Sequence, residues 1–212
     1  MENTLNNWKN EFKDNKFRFG FLFVVIIFPL AMFSMSQMLH FVEDRQNIRI
    51  ADPILSLFTP VDLTWFTFIL IYGGIVLLFV HLFRYPRILL LAFLSAAVSV
   101  ILRMCTLYLT PFQAPETIIP LIDPTVAFFG GGRTFLNDLF FSGHTSSMFI
   151  LFLNSQTKVY RNIFLLGTIL TGSAVIIQHV HYSVDVFAAP FFGFAAYIFS
   201  KRILNRLFDF NV

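Results

Sequence analysis

Residues 62–109 read DLTWFTFILIYGGIVLLFVHLFRYPRILLLAFLSAAVSVILRMCTLYL, two apolar runs separated by the short polar stretch 84–87. Each run is close to the roughly 20 residues that an α-helix needs to cross the hydrocarbon core of a bilayer. A proline and two arginines stand between the runs and break the apolar pattern. The stretch therefore predicts two membrane-spanning helices joined by a tight turn.

The composition extends this prediction to the whole chain. The 212 residues are 57% hydrophobic and 13% charged, and their mean hydropathy is +0.72. Such values exclude disorder and argue against an ordinary soluble domain. The one cysteine, Cys105, has no second thiol with which to form an intrachain disulfide or a thiolate metal site.

Apolar runs of spanning length define the predicted fold class, an all-α polytopic membrane protein with six transmembrane helices. The predicted spans are 17–39, 62–84, 87–109, 139–157, 161–180 and 182–201. We expect one membrane domain over 17–205 and a C-terminal tail over 206–212. Residues 1–16 are expected at the membrane interface, as a short amphipathic helix or as a frayed basic tail.

The positive charges predict which way the chain crosses the membrane. Eleven of the fifteen Lys and Arg residues lie at the termini and in two turns. They are Lys9, Lys13, Lys16, Arg18, Arg84, Arg87, Lys158, Arg161, Lys201, Arg202 and Arg206. Basic short loops stay in the cytoplasm, so both termini are expected there. The net charge of +3 is thereby explained by topology and gives no support to nucleic-acid binding.

Two long loops on the opposite side, 40–61 and 110–138, are expected to form the functional face, because connectors between packed helices are usually shorter. The second loop contains Pro111, Pro115, Pro120, Pro124 and the run Gly130-Gly131-Gly132. These residues prevent a continuous helix there.

Six ionisable residues are predicted to meet at one depth on this face. They are Arg103, Asp138, His144, His179, His181 and Asp185. Ionisable groups are costly inside a membrane, so a shared depth indicates a functional site. The active site is therefore expected on the non-cytoplasmic face, which would be the outer face of the inner membrane in a bacterium.

The spacing of these residues indicates acid–base and nucleophilic chemistry. Asp185 follows His181 by four residues, so on a helix its carboxylate can orient the imidazole and make it a nucleophile. His144 follows Ser142 and Gly143 and is suited to act as a general acid. The Ser142 and Thr145 hydroxyls and the helix N-terminus can receive an anion, and the Arg103 guanidinium matches phosphate oxygens.

Other roles are open for several residues. His40 and His81 are expected to be packing residues at the interface. His179 is a third acid–base group, or it forms with His181 a zinc-binding pair completed by His144 or Asp185. Arg103 binds substrate or pairs structurally with Asp138.

Two motifs resemble those of the sphingomyelin synthase-related branch of the PAP2 lipid phosphatase and phosphotransferase superfamily. Residues 138–145 read DLFFSGHT and match D-x3-S-G-H-T, and residues 181–186 read HYSVDV and match H-Y-[ST]-x-D-V. The pair Arg103 and Thr110 resembles the R-x6-T end of a third motif. The resemblance covers about residues 100–190 and implies a PAP2-like six-helix domain.

The resemblance implies transfer of a phospho-alcohol head group from a membrane phospholipid to a lipid alcohol such as ceramide or diacylglycerol, without metal or other cofactor. It implies that His181 forms a phosphohistidine, that Asp185 orients it, and that His144 acts first as acid and then as base. Substrate contacts are implied at Arg103, Asp138, Ser142, Gly143, Thr145 and Tyr182. A homo-oligomer is also compatible with the resemblance.

Some positions differ from the family patterns. Ala174 and Val175 stand where the phosphatase signature has Ser and Arg, which disfavours a standard phosphatidic acid phosphatase. Leu136-Asn137 replaces the Cys-Gly of the synthases, and Pro190 replaces an aromatic residue. The alternatives are a phosphatase of a lipid phosphate or polyprenyl diphosphate, and a lipid-binding membrane protein without turnover.

Overall fold

The structure, a computed structural model, describes residues 2–122 and 134–212 and is helical. The described residues form seven α-helices, one short 3-10 helix at Leu55–Leu57 and no strand beyond an isolated bridge between Ile48 and Phe112. The helices are α1 (Glu2–Glu11), α2 (Asn15–Asp44), α3 (Thr64–Leu82), α4 (Pro86–Leu109), α5 (Gly143–Asn154), α6 (Lys158–Ile177) and α7 (Ser183–Phe208). The prediction of an all-α fold is confirmed.

Within the described residues, five helices are long and apolar enough to cross a membrane, namely α2, α3, α4, α6 and α7. The apolar character that marked the chain as an integral membrane protein is thus carried by five long helices. The predicted tight turn after the fifth span is also present, because α6 ends at Ile177 and α7 begins at Ser183.

The fourth predicted span, 139–157, differs from the structure. Its helix, α5, covers only 12 residues, Gly143–Asn154, and is about 18 Å long. Phe140 has a left-handed backbone (φ 62°), and Ser142 has an extended one with its hydroxyl oxygen accepting from the Thr145 N–H, so the helix begins late. Hydrophobicity alone did not reveal this start, and six spans are not confirmed.

The basic end of the bundle brings both termini and two turns together. Trp8 of α1 donates its indole N–H to the Phe83 carbonyl at 2.8 Å, and Arg87 pairs with Glu11 at 2.8 Å. Lys16 pairs with Asp209 at 3.0 Å. Of the two expectations for the N-terminal segment, the structure shows the helix, packed against the α3–α4 turn.

The opposite end is organised by the two long loops. Arg45 donates to the carbonyls of Leu107, Tyr108 and Thr110 and so caps the end of α4. Gln178 bonds both the Ile119 carbonyl and the start of α3. The predicted triglycine at 130–132, together with Asp123, Pro124 and Arg133, lies outside the described residues.

Helix α4 forms the centre of the bundle and positions the site. It packs on α2, α5 and α7, while α5 packs most extensively on α6. Its buried face includes Leu90, Leu91, Leu94 and Ala97. The same helix carries Arg103, six residues or about 9 Å before its C-terminus. The site is therefore recessed below the helix end.

Candidate active site

His181 and Asp185 form a buried pair at the start of α7. The Nδ1 atom of His181 lies 3.2 Å from Oδ2 of Asp185, and the two side chains are 2% and 0% exposed. A carboxylate in this position accepts the Nδ1–H, which leaves the Nε2 lone pair for another reactant. The four-residue spacing read from the sequence thus corresponds to a direct contact.

The first turn of α7 holds this pair in place. Asp185 Oδ2 also accepts the backbone N–H of Tyr182 at 3.1 Å. Asp52, from the first long loop, accepts the Ser183 N–H at 2.6 Å. A carboxylate stabilises the positive end of a helix dipole, so both acids fix the helix start that carries the imidazole. The role of Asp52 was not predicted, because no local motif links residue 52 to residue 183.

The electrostatic environment keeps His181 neutral. The pKa of His181 lies below its ordinary value because burial disfavours the imidazolium. The hydrogen bond and charge of Asp185 oppose this shift, and Arg103 and His144 reinforce it. Near neutral pH the side chain is therefore an uncharged imidazole, the form in which a histidine acts as a nucleophile.

His144 faces His181 from a second helix. Their ring centroids lie 6.3 Å apart, and the rings are inclined at 62°. The two helix starts are joined directly, because the Ser142 N–H donates to the Asp185 carbonyl at 3.0 Å. The two imidazoles are therefore neighbours, each carried at the start of its own helix.

The residues around His144 build the helix start. Ser142 and Thr145 are buried, and the Thr145 hydroxyl lies 3.1 Å from the Ser142 hydroxyl. The Ser142 oxygen also accepts the Thr145 N–H at 3.4 Å. The structure therefore shows these two predicted substrate contacts engaged in capping α5, where they orient His144.

Arg103 lies beside the same helix start. Its Nη2 atom is 2.9 Å from Oδ1 of Asp138 and 3.2 Å from the Asp138 carbonyl. A Cβ atom at position 143 would overlap the Arg103 guanidinium, so glycine is required for this approach. Of the two sequence interpretations of Arg103, the pairing with Asp138 is present, and the guanidinium also borders the space beside His144.

Two further residues that the sequence analysis did not single out shape this region. The Glu43 carboxylate accepts the N–H groups of Leu136 and Asn137, each at 3.0 Å, and so fixes the chain just before Asp138. The Thr106 hydroxyl lies 2.9 Å from the Phe140 carbonyl. Both contacts join residues far apart in the sequence, so periodicity carries no signal for them.

The remaining predicted residues lie around the site. Tyr182 is buried and donates its hydroxyl to the Gln113 carbonyl at 2.9 Å, so it ties α7 to the second long loop. His179 Nδ1 lies 2.5 Å from the Thr117 hydroxyl. His40 packs edge-on against Phe135, and His81 stacks on Tyr160.

No group of three or more His, Cys, Asp or Glu side chains that could hold a metal ion occurs in 2–122 and 134–212. His179, the residue with an open acid–base or zinc role, adopts a left-handed backbone (φ 57°) and packs against Phe58, in the loop before α3.

The site combines a buried histidine–carboxylate pair, a second histidine and an arginine at one end of an apolar helical bundle. Residues 137–202 match the family model described as PAP2 superfamily C-terminal, and this region contains His144, His181 and Asp185. No curated protein matches the chain in sequence. The family match and the apolar helices fit a membrane lipid phosphatase or phosphotransferase.

Proposed function

We propose that this chain is an integral membrane phosphotransferase of the sphingomyelin synthase-related type. It moves a phospho-alcohol head group from a phospholipid to a lipid alcohol such as ceramide or diacylglycerol. The observation that carries the proposal is the buried His181–Asp185 pair facing His144 across 6.3 Å. In this arrangement His181, oriented by Asp185, is the nucleophile on one side of a phosphorus atom, and His144 is the acid on the other side.

In the first step, Nε2 of His181 attacks the phosphorus of the donor lipid. A nitrogen–phosphorus bond forms, the bond from phosphorus to the lipid oxygen breaks, and His144 gives its proton to the departing alkoxide. Arg103 stabilises the charge on the phosphoryl oxygens. Asp185 stabilises the positive charge that develops on the attacked imidazole.

In the second step, His144 removes the proton of the acceptor hydroxyl as its oxygen attacks the phosphorus. The nitrogen–phosphorus bond breaks, and His181 returns to its neutral form. Water in place of the lipid alcohol would give hydrolysis with the same residues. The acceptor therefore decides between transfer and hydrolysis of the phosphodiester.

We also propose that the chain crosses the membrane six times, with α5 as a short crossing. Ser142, before α5, bonds Asp185 in the first turn of α7, while Gln156, just after α5, lies 3.4 Å from His81 near the end of α3. Residues 143–156 thus connect the two ends of the bundle. With the basic end in the cytoplasm, the site opens on the opposite face.

The direct test is to incubate the purified protein, in nanodiscs of defined lipid, with head-group-labelled phospholipids and a set of lipid alcohols. Both products are identified, with and without exhaustive chelation by EDTA. We expect a labelled head group on the acceptor and diacylglycerol from the donor, at a rate that chelation leaves unchanged. Release of the phospho-alcohol only to water would assign a phosphodiester hydrolase, and no turnover of any lipid would contradict the proposal.

Cysteine labelling tests the orientation. In a Cys105→Ser background, single cysteines at the exposed positions Glu116 and Arg84 should react with a membrane-impermeant maleimide from opposite sides. We expect Glu116→Cys to react in intact cells and Arg84→Cys only after permeabilisation. The reverse pattern would place the site in the cytoplasm.

The pH profile tests the state of His181. Because its pKa lies below the ordinary value of about 6.5, the limb of kcat/KM that reports protonation of His181 should lie on the acid side of about pH 6.5. Asp185→Asn removes the influence that raises this pKa, so the acidic limb should move to lower pH while the rate falls about 100-fold or more. An acidic limb at the same pH in Asp185→Asn and wild type would mean that a group other than His181 controls the fall of kcat/KM in acid.

Protein stability should follow the same pKa. Between the lowered pKa of folded His181 and about 6.5, the unfolded chain binds more protons than the folded one. This contribution to stability is complete above about pH 6.5 and declines as the pH falls through that window. Thermal unfolding of wild-type protein and His181→Asn across this range measures the difference.

Gly143→Ala should displace Arg103, because the new methyl group would occupy the space of the guanidinium. We expect a loss of about 100-fold in kcat/KM, the scale for losing one charge-stabilising donor. Gly73→Ala is the matched control, since a Cβ there meets no atom within 4 Å. Equal activity of the two variants would show that Arg103 does not act on the substrate.

A further inference from the structure

Two apolar cavities lie end to end along the bundle, between α2 and α3 and over α4. The cavity nearer the basic end has a volume of about 340 Å³, and the one nearer the site has about 150 Å³. Four residues line both of them: Phe28, Phe79, Leu89 and Phe93. The two cavities therefore form one continuous feature, which we call the α2–α3 groove.

The upper end of the α2–α3 groove lies directly below the candidate active site. Ser147 and Ala96 line it there. Ser147 follows His144 by three residues, and Ala96 precedes Arg103 by seven, so each lies on the same helix face as the polar residue above it. A cation for a phosphate group thus lies above a long apolar surface, an arrangement that matches an amphiphile with an anionic head.

The lower end of the groove is closed by Trp8 of α1. Its indole lines the cavity there, and its N–H is held by the Phe83 carbonyl at 2.8 Å. The ring also packs against Phe12 and Phe21. The Arg87–Glu11 ion pair anchors α1 next to the groove. Trp8 is therefore held in a fixed position and closes the lower end of the groove.

We propose that the α2–α3 groove holds one hydrocarbon chain of the lipid substrate and that Trp8 sets the longest chain that fits. This inference rests on the proposed function, which places the lipid phosphate at His181. On α4 the lining residues run from Leu89 up to Ala96, seven residues or about 10 Å, and Arg103 lies a further seven residues, about 10 Å, above Ala96. The lining is apolar apart from the Trp8 indole N–H and Ser147, which suits a hydrocarbon chain, and Ser147 lies one helical turn from His144.

Binding of n-alkyl phosphates of increasing chain length tests the groove without requiring turnover. Affinity should rise about fourfold for each methylene buried, until the chain reaches Trp8, and then stop rising. Trp8→Ala should let the rise continue to longer chains. Ala96→Phe, which fills the upper part of the groove, should stop the rise at shorter chains.

Ile101→Phe is the matched control, because Ile101 is an exposed residue of α4 outside the groove. This variant should not change the chain length at which affinity stops rising. An n-alkyl phosphate with a terminal diazirine should cross-link to residues near Trp8 in the wild type. The inference would be overturned if no groove variant changed the chain length at which affinity stops rising, or if cross-links were spread over the lipid-facing surface. If the groove variants changed this limiting chain length but the protein turned over no lipid, the chain-binding role of the groove would stand and the proposed reaction would be rejected.

Discussion

Replacing His181 with asparagine should lower lipid turnover by about 10⁴-fold or more, the scale seen when a nucleophile and its base act as a unit. The side chain is 2% exposed and its Nδ1 contacts Asp185, so asparagine keeps a polar partner for that carboxylate and limits structural damage. The measurement is the initial rate in nanodiscs, with rapid acid quenching to detect a labelled phosphohistidine.

The control for this variant is His81→Asn, which alters a histidine that stacks on Tyr160 near the opposite end of the bundle. It should keep the wild-type rate and form the labelled intermediate. His181→Asn should form none while its Tm shows a folded protein. Residual turnover above one tenth of the wild-type rate in a folded His181→Asn would remove His181 as the nucleophile.

Replacing His144 with asparagine should lower turnover by about 10²- to 10⁴-fold, the range for a general acid or base. Its effect should depend on the leaving group, because His144 is assigned to protonate the departing lipid oxygen. A p-nitrophenyl phosphodiester with the same head group releases an anion that needs no proton. With that donor, His144→Asn should form the phosphohistidine at nearly the wild-type rate and then accumulate it, because the second step still lacks its base.

His181→Asn provides the contrast, because a better leaving group should not rescue a missing nucleophile. Equal losses with the lipid and the p-nitrophenyl donor in His144→Asn would show that the residue does not protonate the leaving group. Rapid-quench measurements with both donors give the two rates separately.

Local spacing made the contact of His181 with Asp185 predictable, although His181 lies two residues before α7 and not on the helix that the spacing assumed. The shared depth of Arg103, His144 and His181 was also predictable, because it follows from counting apolar runs and assigning the loops to sides. Both inferences use information that is local in the sequence. Neither needs knowledge of how the helices pack.

The unpredicted features depend on contacts between distant segments. The late start of α5 follows from the left-handed backbone at Phe140, in an apolar run that hydropathy assigns to a helix. The Asp52 contact with Ser183 and the Glu43 contacts with residues 136–137 join points far apart in the chain. The closure of a groove by Trp8 likewise requires α1 to fold under the bundle, which composition does not indicate.

The Asp185 contacts also bear on how such a protein is regulated. One carboxylate oxygen receives both the His181 ring and the Tyr182 N–H, and the backbone carbonyl of the same residue receives Ser142. A shift of Asp185 would therefore release the His181 ring, uncap α7 and break the bond to the start of α5 together. The residue that orients the proposed nucleophile thus also joins two helix starts. We therefore expect turnover to vary with how often the surrounding membrane delivers a donor and an acceptor, and not with the position of the imidazole.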